Sequence, residues 1–463
     1  MSTTYVPPVG AGAEMHALIS ELYPICRSIT GEGFRASLRR LGKVVPIALT
    51  EVPTGTRVLD WTVPREWNIR DAWIADATGK RVVDFQASNL HVVNYSVPVR
   101  ARMSLADLRP RLHTLPSQPE LVPYRTSYYA ENWGFCLAQR ALDQLPEGEY
   151  EVCIDSTLAD GSLTYGECVL PGSTTDEILI SVHSCHPSLA NDNLSGMAVA
   201  VLLARILSQQ PRRHTFRFLF IPGTIGSIAW LAANEANVDR IRHGLVLSCL
   251  GDSGHPSYKR SRRGDALIDR AAGHVLKAGG KHSILDFVPY GYDERQYCSP
   301  GFDLPVGCLM RTPNGRFPEY HTSADNLEFV SAAALEDSLA RALAIVEILE
   351  HDAAHLNLNP KGEPQLGRRG LYKNTGGTTP EGFEMGLLWV LNFSDGRHTL
   401  LDIAERSGLP FATIRRAADA LRAAGLTRAR DETEGERSPA AARDVSTPTD
   451  ARPSPPIVSA GAV

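Results

Sequence analysis

The sequence predicts an α/β protein in which a mostly parallel sheet is sandwiched by helices, with an inserted β subdomain and a C-terminal winged-helix domain. Three observations predict it. After Tyr128, near-continuous apolar runs of strand length alternate with helical patterns, as parallel strands covered on both faces require. Between residues 50 and 124 the chain changes to short β-rich runs separated by turn signals. Beyond residue 370, three short helical patterns follow one another, the last pair spaced as a helix-turn-helix.

Taken in order, residues 14–41 carry apolar side chains at helical spacing, interrupted by the turn-like Arg27-Ser-Ile-Thr-Gly-Glu-Gly33. This opens a core domain assigned to residues 1–49 and 125–356. The inserted subdomain, 50–124, holds the β-rich runs Val58-Leu-Asp-Trp-Thr-Val and Asn89-Leu-His-Val-Val-Asn-Tyr-Ser-Val. In the core, Glu177-Ile-Leu-Ile-Ser-Val-His183, His214 to Ile221 and Gly244 to Leu250 read as strands, and Ser195 to Leu207 and Ile228 to Asn234 as helices. A long amphipathic helix from Ala332 to His351 closes the core, and a linker with Pro and Gly follows from Asn357 to Arg369. The winged helix is placed at 370–430. The tail, 431–463, is rich in Ser, Pro, Ala and charge without periodicity and is expected to be disordered.

The composition is that of a globular protein: 463 residues, 43% hydrophobic and 21% charged, with a formal net charge of -5. That balance gives no overall electrostatic reason to expect nucleic acid or an anionic membrane as partner. No secretory signal or spanning segment is recognisable, and eight scattered cysteines without a Cys-x-x-Cys read as reduced thiols, so a cytoplasmic protein is expected.

The chemistry concentrates in His183-Ser-Cys-His186-Pro-Ser-Leu-Ala-Asn-Asp192-Asn-Leu-Ser-Gly196. Zinc prefers imidazole nitrogens and carboxylate oxygens, and this stretch lies between the end of a buried strand and the start of a helix, where open α/β sheets bind ligands. Asp192 would serve equally as a simple helix cap, so the stretch alone leaves both roles open. A second cluster, Phe317-Pro-Glu319-Tyr320-His321-Thr-Ser-Ala-Asp325, adds a third imidazole, with Asp325 or Glu319 in position to orient it.

A strand-end His, Asp-Asn-x-Ser-Gly opening a helix, and a late Tyr-His-Thr with Asp four beyond the His together resemble the zinc aminopeptidase and glutaminyl cyclase superfamily. More narrowly, Leu22-Tyr-Pro-Ile-Cys-Arg-Ser-Ile-Thr-Gly-Glu-Gly33, Cys185 to Gly196, Tyr258-Lys-Arg-Ser-Arg-Arg263, Asp293-Glu-Arg-Gln-Tyr-Cys-Ser-Pro-Gly301 and Glu319 to Ser323 resemble an aminopeptidase-like family of poorly known function. Its members have an inserted β domain and a C-terminal winged helix. The resemblance implies that Asp192 is the central metal carboxylate and His321 the late ligand. His183 sits where the superfamily has its strand-end ligand, while His186 lies in the Cys-His-Pro motif and is favoured. Two-metal aminopeptidases carry a Glu-Glu pair after the next strand, where this chain has Gly223-Thr224. Their further Asp ligand is displaced here to Asp252, so one zinc rather than two is expected.

With that pair missing, the general base must come from Glu319, Asp293, Glu294 or Asp252, with Glu319 preferred for its nearness to His321. Gly251-Asp252-Ser253-Gly254 imitates a serine-protease motif, but the alternating α/β pattern does not suit that chemistry. Arg260, Arg262 and Arg263, with Arg295 and Tyr320, are expected to bind an anionic substrate, because guanidinium forks match carboxylate and phosphate. The expected function is zinc-dependent hydrolysis of an amide or peptide bond in a small molecule or short peptide. The alternatives are zinc-dependent acyl transfer or cyclisation, or a degenerate ligand-binding protein with a regulatory winged helix. Few cations fall between Ala404 and Arg416, so the winged helix is read as a protein-interaction module, through which a homo-oligomer would form, rather than as a DNA reader.

Overall fold

Strand Glu177–His183 is buried along its whole length, and its one charged residue, Glu177, is paired with Arg217 of the neighbouring strand at 2.6 Å. In the computed structural model, which describes residues 5–371 and 382–430, this strand lies inside an eight-stranded sheet. Its order is Ala48–Pro53, Ser162–Leu170, Thr215–Ile221, Glu177–His183, Ile241–Leu247, Val306–Met310, Ser257–Lys259 and Ser283–Leu285. The four strands from Thr215–Ile221 to Val306–Met310 run parallel to one another, and the outer pairings are mostly antiparallel. Helix Gly196–Ser208 has no polar face, in keeping with its place between strand Glu177–His183 and helices Ala11–Leu22 and Ala332–His351. The last of these begins where the Ser331 hydroxyl accepts from Ala334 N.

Topology positions the site. The chain leaves Glu177–His183 for Thr215–Ile221 on one side and then reaches Ile241–Leu247 on the other. The loop after His183 therefore opens at the point where the strand order reverses, the crevice that α/β sheets use for ligands.

Two boundaries differ from expectation. The second sheet has the order Arg81–Asp84, Glu66–Ala75, Glu149–Ala159, Val99–Ser104. One of its central strands thus comes from beyond residue 124, while Ala48–Pro53 joins the main sheet; alternation along a strand shows its period but not its partner. The winged-helix unit also starts early. Its sheet is Asp395–Thr399, Ala354–Asn357, Thr427–Ala429, so the strand directly after the long core helix lies at its centre, ahead of the expected start at 370. The three expected helices are present as Phe383–Phe393, Leu400–Ser407 and Phe411–Ala423. A Thr399/Asp402 capping box starts the second. The expected disordered tail lies outside the described residues. Among the described residues the eight cysteines are free, and no helix is long and apolar enough to cross a membrane.

The winged helix is tied to the core by the buried pair Arg415–Glu347 at 2.9 Å. Arg415→Ala would strand Glu347 in a buried position, which costs about 3–5 kcal/mol. Denaturant unfolding should register that loss, and the double variant Arg415→Met/Glu347→Met should recover much of it.

Candidate metal centre

Asp192 is completely buried, and its two carboxylate oxygens face different partners. Oδ1 lies 2.7 Å from His183 Nε2, and Oδ2 lies 3.0 Å from His321 Nε2 and accepts from the Tyr292 hydroxyl at 2.8 Å. The His186 ring lies about equally far from those of His183 and His321, with centroids 5.1 and 5.2 Å away, and its Nδ1 is buried with no hydrogen-bond partner. Ligand atoms of His183, His186 and Asp192 all lie within 4.8 Å of one another. The sequence reading weighed His183 against His186; the fold brings both to the same carboxylate.

The loop is held in place by acids that do not face the imidazoles. Asp325 accepts from the backbone N–H groups of Asn191 at 2.6 Å and Asp192 at 3.0 Å. It therefore fixes the ligand loop instead of orienting His321 as expected, and Glu319 offers its carbonyl to Thr322. Asp252 accepts from Asn191 Nδ2, Gly254 N and both the amide and hydroxyl of Thr312, so the base expected of it is committed to structure. Asn193 donates to the carbonyls of His183 and Leu247, tying the loop to two strand ends. His321 has a left-handed backbone, φ 56°, which costs a non-glycine residue on the order of 1 kcal/mol. Its carbonyl is held there by Tyr124 N at 2.8 Å.

Electrostatics favour the charge states a cation would need. Burial opposes ionisation of Asp192, but His186, His183 and His321 hold its carboxyl well below the usual range. Burial pushes the His186 pKa well below the usual imidazole range against the pull of Asp192, and His183, His321 and the buried Arg27 push it the same way. Arg27 donates to Leu22 O at 2.6 Å and has no carboxylate partner among the described residues.

Tyr292 was not anticipated. Its ring stacks on His183 with centroids 3.6 Å apart, and its hydroxyl reaches the Tyr320 hydroxyl at 2.9 Å as well as Asp192. A side chain at Gly223 would start 3.0 Å from His183 Cβ, 3.5 Å from the Tyr292 ring and 3.6 Å from Asp293 Oδ2. Tyr292 and Asp293 thus border the space that a residue-223 side chain would enter. Only its position beside the Asp293 motif could have singled Tyr292 out, because stacking on a residue over a hundred positions away leaves no local signal.

The other expected residues separate. Asp293 is buried, accepts from Ser227 at 2.8 Å through Oδ1, and has an unpartnered Oδ2; burial pushes its carboxyl up to about 6. Glu294 forms a buried pair with Lys259. In the basic run, Arg260 pairs with Asp286, and Arg262 and Arg263 pair with Asp303, all at the surface, and none of the three lines the site cavity. Their neutralising acids lie 26 to 41 residues away in sequence, so a local charge count overstates the patch. Arg295 is half-buried beside Asp293, also outside the cavity lining. Tyr320 does line the cavity, stacked on His321 at 4.0 Å.

That cavity, about 850 Å³, is bounded by His186, His321 and Tyr320 on the metal-centre side and by the segment from Thr114 to Asn132 elsewhere. Three imidazoles around one carboxylate, one of them with an unpartnered buried nitrogen, make a donor set that fits zinc.

Residues 16–352 match the family described as Domain of unknown function (DUF4910), and residues 353–429 match a winged helix-turn-helix family. A Clostridium acetobutylicum protein, provisionally described as a polysaccharide biosynthesis protein with an aminopeptidase-like domain, is 50% identical over 412 residues, 89% of this chain and 95% of its own length. The crystal structure of a provisionally assigned peptidase from Clostridium acetobutylicum matches with a TM-score of 0.86 at 48% identity, covering 91% of this chain and 97% of that one. A zinc aminopeptidase from Bacillus subtilis matches with a TM-score of 0.55 at 13% identity, over 75% of this chain and 96% of its own, a likeness of fold. The chain has an aminopeptidase-like fold followed by a winged helix, and it belongs to the DUF4910 family.

Proposed function

We propose that this protein is a cytoplasmic zinc-dependent hydrolase that opens an amide or peptide bond in a small anionic substrate within a biosynthetic pathway, using one zinc ion. The observation that carries this reading is the convergence of His183, His186 and His321 on Asp192 at the edge of an 850 Å³ cavity. The Bacillus fold relative named as a zinc aminopeptidase supports the metal, and the Clostridium relative named for polysaccharide biosynthesis supports the pathway. Unpaired thiols agree with a reducing compartment.

Asp192, His321 and one of His186 and His183 would hold zinc, which leaves one coordination position open for water. A single zinc supplies a water of lowered pKa and a polarised carbonyl. The protein's own groups do the rest. Tyr292 donates its one hydroxyl proton to Asp192, which leaves Tyr320, stacked on His321 and lining the cavity, as the donor that can turn to an oxyanion developing as the amide is attacked. For the base we favour Asp293 over Glu319, since its Oδ2 has no protein partner and lies next to the position where two-metal relatives carry their Glu pair. Asp293 Oδ2 takes the proton of the attacking water and returns it to the leaving amine.

Turnover of aminoacyl amides and small acidic dipeptides by the zinc-loaded chain tests the reading. Asp293→Asn should lower kcat by about 10²–10⁴ with zinc content unchanged, and Glu319→Gln should have little effect. Tyr320→Phe should lower kcat by about 10²-fold or more while the fold is retained. No turnover of any amide by fully loaded protein would leave a binding role in place of hydrolysis.

A further inference from the structure

The cavity wall away from the imidazoles has an uncompensated positive charge. Arg125 lines it, and among the described residues its guanidinium has no hydrogen-bond or ion-pair partner. The cavity lining includes no Asp or Glu. Next to it, Arg111 is held by Asn132 and stacks on Trp133 at 5.0 Å, again without a carboxylate. Burial lowers the pKa of His113, and Arg125 and Arg111 lower it further, which puts both guanidinium charges within reach of this one ring. Ser127, also in the lining, has a buried hydroxyl with no partner. This differs from the surface run at Arg260, Arg262 and Arg263, where every guanidinium has its carboxylate.

A half-buried guanidinium that faces a cavity and lacks a counter-ion is a fork left open for two oxygens. We propose that Arg125 is the anion-recognition residue of this cavity. It receives a carboxylate or phosphate on the substrate while the substrate's amide lies at His186 and His321. The proposal rests on the hydrolase reading for the role of the bound molecule, but the anion site itself exists without the metal.

The test is therefore made on the metal-stripped full chain by isothermal titration with succinate, succinamide and inorganic phosphate. Succinate or phosphate should bind at least about tenfold more tightly than neutral succinamide, as expected for a charge-assisted fork. Arg125→Gln should abolish that preference, and Arg125→Lys should retain part of it at an unchanged Tm. Binding of succinate alone identifies a carboxylate substrate, and binding of phosphate alone a phosphorylated one. If neither anion outbinds succinamide, or if Arg125→Gln binds anions as well as the wild type, the proposal is overturned. Failure of the wild type to hold zinc would sink the hydrolase reading and leave this titration unaffected.

Discussion

Asp192→Ala should remove bound zinc from the protein and lower zinc affinity by at least about 100-fold. Asp192 reaches His183, His321 and Tyr292 together, through both of its oxygens. Removing it leaves three imidazoles without a shared carboxylate, and hydrolysis should fall to background with the metal. Asp192→Asn keeps the volume and one carbonyl oxygen but places an amide N–H₂ against a ring nitrogen or the Tyr292 hydroxyl. Zinc binding should fail there too, while Tm in the absence of metal changes less than in the alanine variant. Metal analysis after dialysis and thermal unfolding of both variants check the two halves of this expectation.

The second large effect is expected from a residue that contributes no ligand. Asp325→Ala strands the N–H groups of Asn191 and Asp192, each at a cost of about 1–3 kcal/mol, in a loop whose residues are wholly buried. The loss, roughly 2–6 kcal/mol in total, falls on the segment that sets the direction of the Asp192 carboxylate. Stability and zinc occupancy should fall together. Asp325→Asn retains a single acceptor oxygen and should recover only part of both. Urea unfolding midpoints read against zinc content separate this variant from one that merely destabilises a distant part of the core.

How much of this was legible depended on the range of the interaction. The parallel core announced itself because Glu177 to His183 and Thr215 to Ile221 are nearly unbroken apolar runs, and burial on both faces leaves that mark locally. The helix over Ala332–His351 was equally plain from its periodicity, and the structure adds the Ser331 cap. The candidate ligand residues were readable as motif and chemistry, and the fold brings the strand end, His183, and its loop, His186, to one carboxylate. What could not be read was pairing over distance. The acids of Arg260, Arg262 and Arg263 are Asp286 and Asp303, and Asp325 bonds a loop more than 130 residues away. Tyr292 was missed for the complementary reason: what sets it apart is a stacked histidine far off in sequence.

The most direct test of the single-metal account is the number of zinc ions held by the intact chain, counted by native mass spectrometry after saturation and removal of excess metal. About one ion per chain is predicted for the wild type and for Arg125→Gln, and close to none for Asp192→Ala and His321→Ala. Two ions per wild-type chain, or an unchanged count in both Asp192→Ala and His321→Ala, would contradict it.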